Sequence, residues 1–221
     1  MAHRLSIRTI TPLARNVYQY DLERPEGFDF EPGQWAHVAI DKPGWEEAER
    51  PFSFTGLPDW DRLQFMIKSY PDKGDVTKQL ARLVVGDRLI VGAPHGSIRY
   101  RGPGVFIAGG AGVTPFVPIL RALDRDDALA GHRLFLANKR TRDIFPHNVL
   151  DTMAGLDVMH VLSHERITEH AHGMIDRQFL SRYVDDLSQT FYVCGPPQMA
   201  EDVRATLVEM GADPDALVVD G

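Results

Sequence analysis

Hydrophobic periodicity changes character once along these 221 residues, at Arg101-Gly102-Pro103-Gly104. Before that point the apolar segments are short and alternating: Leu5–Ile10, Val17–Leu22, Trp35–Ile40, Leu63–Ser69 and Arg88–Val91. Turn signals separate them, among them Arg24-Pro25-Glu26-Gly27, Glu31-Pro32-Gly33 and Asp41-Lys42-Pro43-Gly44. Many short strands at this spacing predict a small antiparallel β-barrel. One helix is expected inside it, from about Val76 to Leu83, capped by Asp75 or Thr77 and closed off by Gly86. After residue 104 continuous apolar runs take over: Val105–Ala108, Leu134–Ala137, Val158–Leu162 and Phe191–Cys194. Helical stretches alternate with them, at Pro115–Leu123, Asn148–Met153, Asp176–Tyr183 and Pro197–Met210, the last stopped by Gly211. Buried runs alternating with helices predict a parallel sheet covered on both faces. The expected fold is therefore a two-domain β + α/β chain, with an antiparallel β-barrel over 1–101 and a parallel-sheet α/β domain over 105–221.

Composition narrows the function classes. No apolar run is long enough for a transmembrane helix. The first residues lack the apolar core of a signal peptide, which favours the cytoplasm. A single cysteine, Cys194, excludes an internal disulfide and a cysteine-ligated iron–sulfur cluster. The net charge of −7 argues against nucleic-acid binding. Charge is uneven, however. From Arg62 to Arg101 eight basic residues face only Asp72, Asp75 and Asp87, a local balance of +5. That segment is either a solvated mixed surface or a landing patch for an acidic partner. No histidine pair has metal-ligand spacing on a helix, and no metal site is expected.

Four motifs carry chemistry. Gly109-Gly110-Ala111-Gly112-Val113-Thr114-Pro115 follows an apolar run and opens a helix, with Thr114 as the expected cap and Pro115 suited to the first turn. Free N–H groups and a helix dipole then converge where phosphate can bind, and the glycines clear side chains from that approach. It is not the Gly-x-Gly-x-x-Gly fingerprint. Cys194-Gly195-Pro196-Pro197 ends the last apolar run, so Cys194 and Gly109 should open on one crevice beyond the strand ends. Cys194 reads equally as a small buried apolar residue. In the β half, Arg50-Pro51-Phe52-Ser53 puts a phosphate-pairing guanidinium, an aromatic ring and a hydroxyl side by side. Lys73-Gly74-Asp75-Val76-Thr77 opens the expected barrel helix and is a second phosphate-binding N-terminus or an ordinary cap.

In this order the four motifs resemble the ferredoxin–NADP⁺ reductase superfamily. Its members carry Arg-x-Tyr-Ser, Gly-x-x-Ser/Thr, Gly-Gly-x-Gly-x-Thr-Pro and Cys-Gly-Pro-Pro. The resemblance spans nearly the whole chain and is closest to the short bacterial flavodoxin/ferredoxin reductase-like proteins, which also share a stretch like His172-Gly173-Met174-Ile175-Asp176. It implies an FAD-binding barrel, or one for FMN, followed by a domain for NADPH or NADH. By carry-over, Arg50 and Pro51 lie at the flavin, with Arg50 on its pyrophosphate. Phe52 and Ser53 contact the isoalloxazine, Ser53 near N5. Gly74, Val76 and Thr77 hold flavin phosphates. Gly110, Gly112, Val113, Thr114 and Pro115 line the dinucleotide crevice. Cys194 sits near the nicotinamide C4, with Gly195, Pro196 and Pro197 shaping its pocket.

Departures from the family pattern matter. Phe52 replaces a tyrosine and loses its hydroxyl. The sequence ends Val218-Val219-Asp220-Gly221 where many relatives place an aromatic lid, so a more open flavin is expected, with Asp220 as a candidate active-site acid. Ser163-His164 stands where NADPH-preferring relatives have Ser-Arg, which leaves NADH against NADPH open. The expected function is hydride transfer from NAD(P)H to bound flavin, then electron transfer to a carrier protein such as ferredoxin or flavodoxin, or to a small acceptor. The +5 segment favours an acidic carrier. The rival reading is a non-catalytic flavin- or nucleotide-binding subunit, or the reductase component of a larger redox complex.

Overall fold

The structure, a computed structural model, describes residues 2–71, 76–96 and 98–220. The first half is a six-stranded antiparallel sheet: β1 His3–Ala14, β2 Val17–Glu23, β3 Trp35–Ile40, β4 Arg50–Ser53, β5 Arg62–Lys68 and β6 Arg88–His95. Spatial order is β4-β3-β6-β1-β2-β5. A bridge between Phe54 and Phe65, with Thr55 N donating to Gln64 O at 2.8 Å, ties the end of β4 to β5 and closes the sheet into a barrel. Alternation sends Leu5, Ile7, Val38, Phe54, Phe65 and Leu89 into one apolar interior. The first strand is longer than its pattern promised because Pro12 does not end it. Residues 3–6 pair with β6, and the strand then shifts register and pairs with β2 out to Ala14.

Helix α1, Val76–Leu80, packs Val76 and Leu80 on the barrel core, and the Tyr20 hydroxyl donates to Leu80 O at 3.0 Å. It is shorter than expected. Beyond Leu80 the chain continues as single turns, Arg82 N to Gln79 O and Leu83 N to Leu80 O. Thr77 lies inside α1 and accepts from Tyr70 N at 3.1 Å, while the alternative cap Asp75 and the site residue Gly74 lie outside the described residues.

The second half is a parallel sheet: β7 Gly104–Gly109, β8 Arg133–Asn138, β9 Asp157–Leu162, β10 Ala171–His172, β11 Thr190–Cys194 and β12 Leu217–Asp220, in the order β10-β9-β8-β7-β11-β12. Helices α2 Phe116–Arg125 and α3 His147–Leu150 cover one face, and α4 Arg177–Tyr183 and α5 Pro197–Met210 the other. The period-2 rule is visible in β7: Phe106 and Ala108 join the α2 side, Val105 and Ile107 the α5 side. Asp176 caps α4 by accepting from Phe179 N at 2.9 Å, and Gly211 (φ 110°) ends α5. Strands β10 and β12 are additions to the sequence reading. Barrel residues Val17, Met66 and Ile98 pack into the same cluster as Phe116 and Leu120, so the two halves share a continuous apolar contact. Among the described residues no helix is long and apolar enough to cross a membrane.

Candidate functional site

In the parallel sheet the chain leaves β7 toward β8 on one side and returns through β11 on the other. Ligand crevices form at such switch points, beyond the carboxyl ends of the strands. Ala108 and Cys194 are register partners there, and Cys194 is in turn the partner of Asp220. Two glycines allow the strand ends to approach. A Cβ on Gly112 would stand 2.3 Å from Cys194 O, and one on Gly109 would stand 2.5 Å from Met199 Sδ. Of the three glycines at 109, 110 and 112, only Gly110 (φ +52°) has open space around it. Gly112 is thus required by backbone packing inside the protein, and Gly109 leaves room for the Met199 and Pro196 side chains, in addition to any ligand. Gly112→Ala should lower stability by about 1–3 kcal/mol through overpacking against the Cys194 carbonyl. A calorimetric Tm equal to that of the parent would show that this approach tolerates a methyl group.

The turn differs from expectation in one respect. Gly110–Val113 forms a 3₁₀ turn, and α2 begins at Phe116 with Pro115 in the cap position. Thr114 does not cap the helix. Its hydroxyl donates back to Ala111 O at 2.9 Å, and its N–H bonds to the same carbonyl at 3.1 Å. With Pro115 in the cap position, a side chain at 114 lies one residue too early to reach the first free N–H groups.

A cavity of about 900 Å³ opens at this point. That volume suits a cofactor-sized ligand. Gly109, Gly110 and Ala111 form one side, Pro196 and Met199 another, and Lys68 and Tyr70 of the barrel a third. It continues past Asn138, Lys139 and Ser163 at the ends of β8 and β9. Asn138 is buried, and its amide nitrogen has no hydrogen-bond partner among the described residues, leaving a donor for a ligand oxygen. Lys68, Tyr70, Asn138 and Lys139 escaped the sequence reading. The one available signal was a polar Asn closing the apolar run Leu134-Phe135-Leu136-Ala137.

Of the expected residues, Gly110 and Pro196 line this cavity. Val113, Thr114 and Pro115 are buried, Val113 within the α2 side of the core. Cys194 is half-buried, and desolvation, reinforced by Asp220, pushes its thiol up to about 12. Gly195 packs against the Gly109 backbone, and Pro197 is the first residue of α5. Arg50, Pro51, Phe52 and Ser53 form β4 at the barrel edge. Ser53 is paired with Trp35, Phe52 is half-buried on the barrel core, and Arg50 and Pro51 are exposed. Val76 and Thr77 are buried in α1.

At the far end of the cavity Ser163 Oγ and His164 Nδ1 are 2.8 Å apart. Glu165 accepts from Thr141 N (2.6 Å) and Thr141 Oγ1 (2.9 Å). Those bonds, with Arg140 and Arg142 nearby, hold its carboxyl below the usual carboxylate range. Among the described residues, three of the eight cations of the basic segment meet acids outside it. Arg62 pairs with Asp21 and Asp61, Arg88 with Asp41, and Arg99 with Glu31.

A closed barrel docked on a doubly covered parallel sheet, with a glycine-lined cavity at the junction, defines a two-domain dinucleotide-binding protein. Comparison with known proteins agrees. Residues 4–100 match the family model described as "Oxidoreductase FAD-binding domain", and residues 106–205 match "Oxidoreductase NAD-binding domain". The chain is 27% identical to the "Propane 2-monooxygenase, reductase component" of Mycolicibacterium goodii, over 90% of this chain and 61% of that protein. It is 31% identical to "Ferredoxin--NADP reductase B" of Sorangium cellulosum, over 69% of this chain and 64% of that one. The CS-b5R domains of human Ncb5or superpose with a TM-score of 0.87 at 23% identity, covering 98% of this chain and 68% of that structure. The chain belongs to the ferredoxin–NADP⁺ reductase superfamily. It spans somewhat over half the length of the curated relatives it matches.

Proposed function

We propose that the chain is an NAD(P)H-dependent flavoprotein reductase that hands electrons to a partner protein, with residues 1–101 holding FAD and 105–221 holding the nicotinamide dinucleotide. The observation that carries this reading is the cavity at the switch point, which Lys68 and Tyr70 of the barrel close from the opposite side. Flavin and nicotinamide, when bound, supply the hydride transfer itself. The chain supplies binding and alignment. Arg50, exposed on the edge strand, pairs with the flavin pyrophosphate, and Phe52 and Ser53 place a ring face and a hydroxyl at the isoalloxazine. Gly74, Val76 and Thr77 complete the flavin side. The N–H groups of the Gly110–Val113 turn meet the dinucleotide phosphates, with Lys68 and Lys139 supplying positive charge. Asn138 donates to the nucleotide from the end of β8. Cys194 remains a neutral thiol beside the nicotinamide, and Gly195, Pro196 and Pro197 shape that end.

The reductase and electron-transfer components among the relatives, such as that of the M. goodii propane 2-monooxygenase, favour a protein acceptor over a small molecule. A ferredoxin, a flavodoxin or an oxygenase component fits that role. The purified protein, loaded with FAD, should bleach at the flavin bands when mixed anaerobically with NADH or NADPH, and the faster nucleotide identifies the preference. A colourless protein that takes up neither FAD nor FMN and oxidises neither nucleotide would remove the reductase reading. A yellow protein whose flavin stays oxidised with both would leave a binding module.

A further inference from the structure

Helix α2 starts at the glycine turn of the cavity, and one of its side chains crosses into the barrel. The Arg121 guanidinium donates through Nη1 to Thr55 O (2.5 Å) and Gln64 Oε1 (2.6 Å). Both acceptors belong to buried barrel residues. Gln64 is itself oriented from two sides. Its Oε1 also accepts from Thr55 Oγ1 (3.2 Å), and its Nε2 donates to Asp21 Oδ1 (2.8 Å), so the amide presents its oxygen to Arg121. Two guanidinium groups lie over the Trp60 ring, Arg121 at 5.0 Å from the centroid and Arg62 at 4.4 Å. Arg62 also faces Asp21 at 3.6 Å and Asp61 at 3.2 Å, so two carboxylates stand against the pair of cations. Beside this polar knot Val17, Met66 and Ile98 make apolar contact between the halves. Further polar links, Tyr100 Oη to His132 Nε2 (2.9 Å) and Arg101 to the Tyr192 hydroxyl (2.8 Å) and Asp215 O (3.0 Å), come from the connecting segment and not from α2. Apolar contact is non-directional and tolerates sliding. A planar, two-acceptor cation does not.

Thr55 stands two residues after Ser53 on the chain segment that leaves β4. Arg121 stands six residues after Pro115 on the helix that leaves the glycine turn. One side chain therefore connects the segment beside the flavin strand to the helix behind the nucleotide turn. We infer that Arg121 is the positioning residue that sets the orientation of the dinucleotide half against the barrel, and with it the hydride-transfer distance. The inference rests on the reductase reading for its catalytic consequence and on the Arg121–Thr55–Gln64 geometry for its structural one. Burial lowers the Arg121 pKa to about 10, which leaves the cation intact at neutral pH. The second bridge from α2, Arg125 Nη1 to Asp59 Oδ2 at 3.1 Å, is exposed on both sides and contributes little orientation.

Two independent readouts test it. In the first, nitroxide labels at Glu47→Cys and Asp185→Cys, both exposed and one in each half, report the distance between the halves in a Cys194→Ser background. The parent and Arg125→Ala should give one narrow distribution. Arg121→Met, which keeps the apolar stem but no donor, should give a broadened or shifted one. In the second, anaerobic flavin reduction is followed in single-cysteine protein. Arg121→Met should slow reduction about 10- to 100-fold, with flavin retention and nucleotide affinity within about twofold of the parent, because misplacement by about 1 Å costs that much. Arg121→Lys, which keeps a charge and one donor centre, should recover part of both effects and stands in if the methionine variant folds poorly. An unchanged distance distribution in Arg121→Met overturns the inference, as does a parent-like reduction rate. If the parent itself shows no flavin reduction, the reductase reading fails, and the distance measurement still decides whether Arg121 fixes the two halves.

Discussion

Cys194 should react with iodoacetamide at pH 8 about a thousandfold more slowly than an exposed cysteine, whose thiol titrates near ~8.5. The thiolate is the reacting species, and burial with Asp220 alongside pushes Cys194 up to about 12. Its thiolate fraction, and hence its rate, should rise tenfold for each pH unit through the neutral and mildly alkaline range. The sign has a functional reading. A group neutral at every physiological pH can donate a weak hydrogen bond or fill space beside a nicotinamide, but it cannot act as a nucleophile. Flavin reduction should therefore show no alkaline limb from Cys194 between about pH 6 and 9. Rapid alkylation at pH 8 would overturn the burial argument. Cys194→Ala separates the two remaining roles. Hydride transfer slowed about tenfold with flavin affinity intact marks alignment, and parent-like kinetics mark packing alone.

Arg50→Ala should weaken FAD binding by about 10- to 100-fold, the loss of a charge-assisted contact of ~1.5–3 kcal/mol. The fold should be indifferent. Arg50 is exposed on the four-residue edge strand β4, and its Nη1 donates to the adjacent Glu49 carbonyl at 2.8 Å. Titration of flavin fluorescence against the apoprotein reads the affinity, and thermal unfolding without flavin checks the fold. Unchanged affinity would move the pyrophosphate away from Arg50.

Both layers of the α/β half were legible because buried parallel strands are continuous apolar runs and α5 is bounded by Pro197 and Gly211. The antiparallel barrel was legible from alternation and turn residues. What escaped notice is instructive. Strand β10 has only two residues, too few for a period, and β12 is the short run Leu217–Asp220, whose partner β11 lies far back in the chain. Thr114 looked like a helix cap because cap propensity is local, whereas the 3₁₀ turn that claims its hydroxyl depends on how Gly112 meets Cys194 across the sheet. Gly109 and Gly112 looked like ligand-approach glycines, and sequence offers no way to tell an approach by phosphate from one by a neighbouring strand. Lys68 and Tyr70 reach the cavity only because the barrel docks where it does, a fact of tertiary packing. Part of the basic excess of 62–101 is offset for the same reason, since Asp21, Asp41 and Glu31, the partners of Arg62, Arg88 and Arg99, come from outside that window.

The back-bonded Thr114 has a thermodynamic corollary. A flexible phosphate loop loses conformational entropy each time it closes on a ligand, and that loss is subtracted from the affinity. Here the hydroxyl and the N–H of Thr114 both return to the Ala111 carbonyl, and Val113 is anchored in the core. The ordering of the turn is completed at folding, so closure on a ligand there would subtract little further entropy from its affinity.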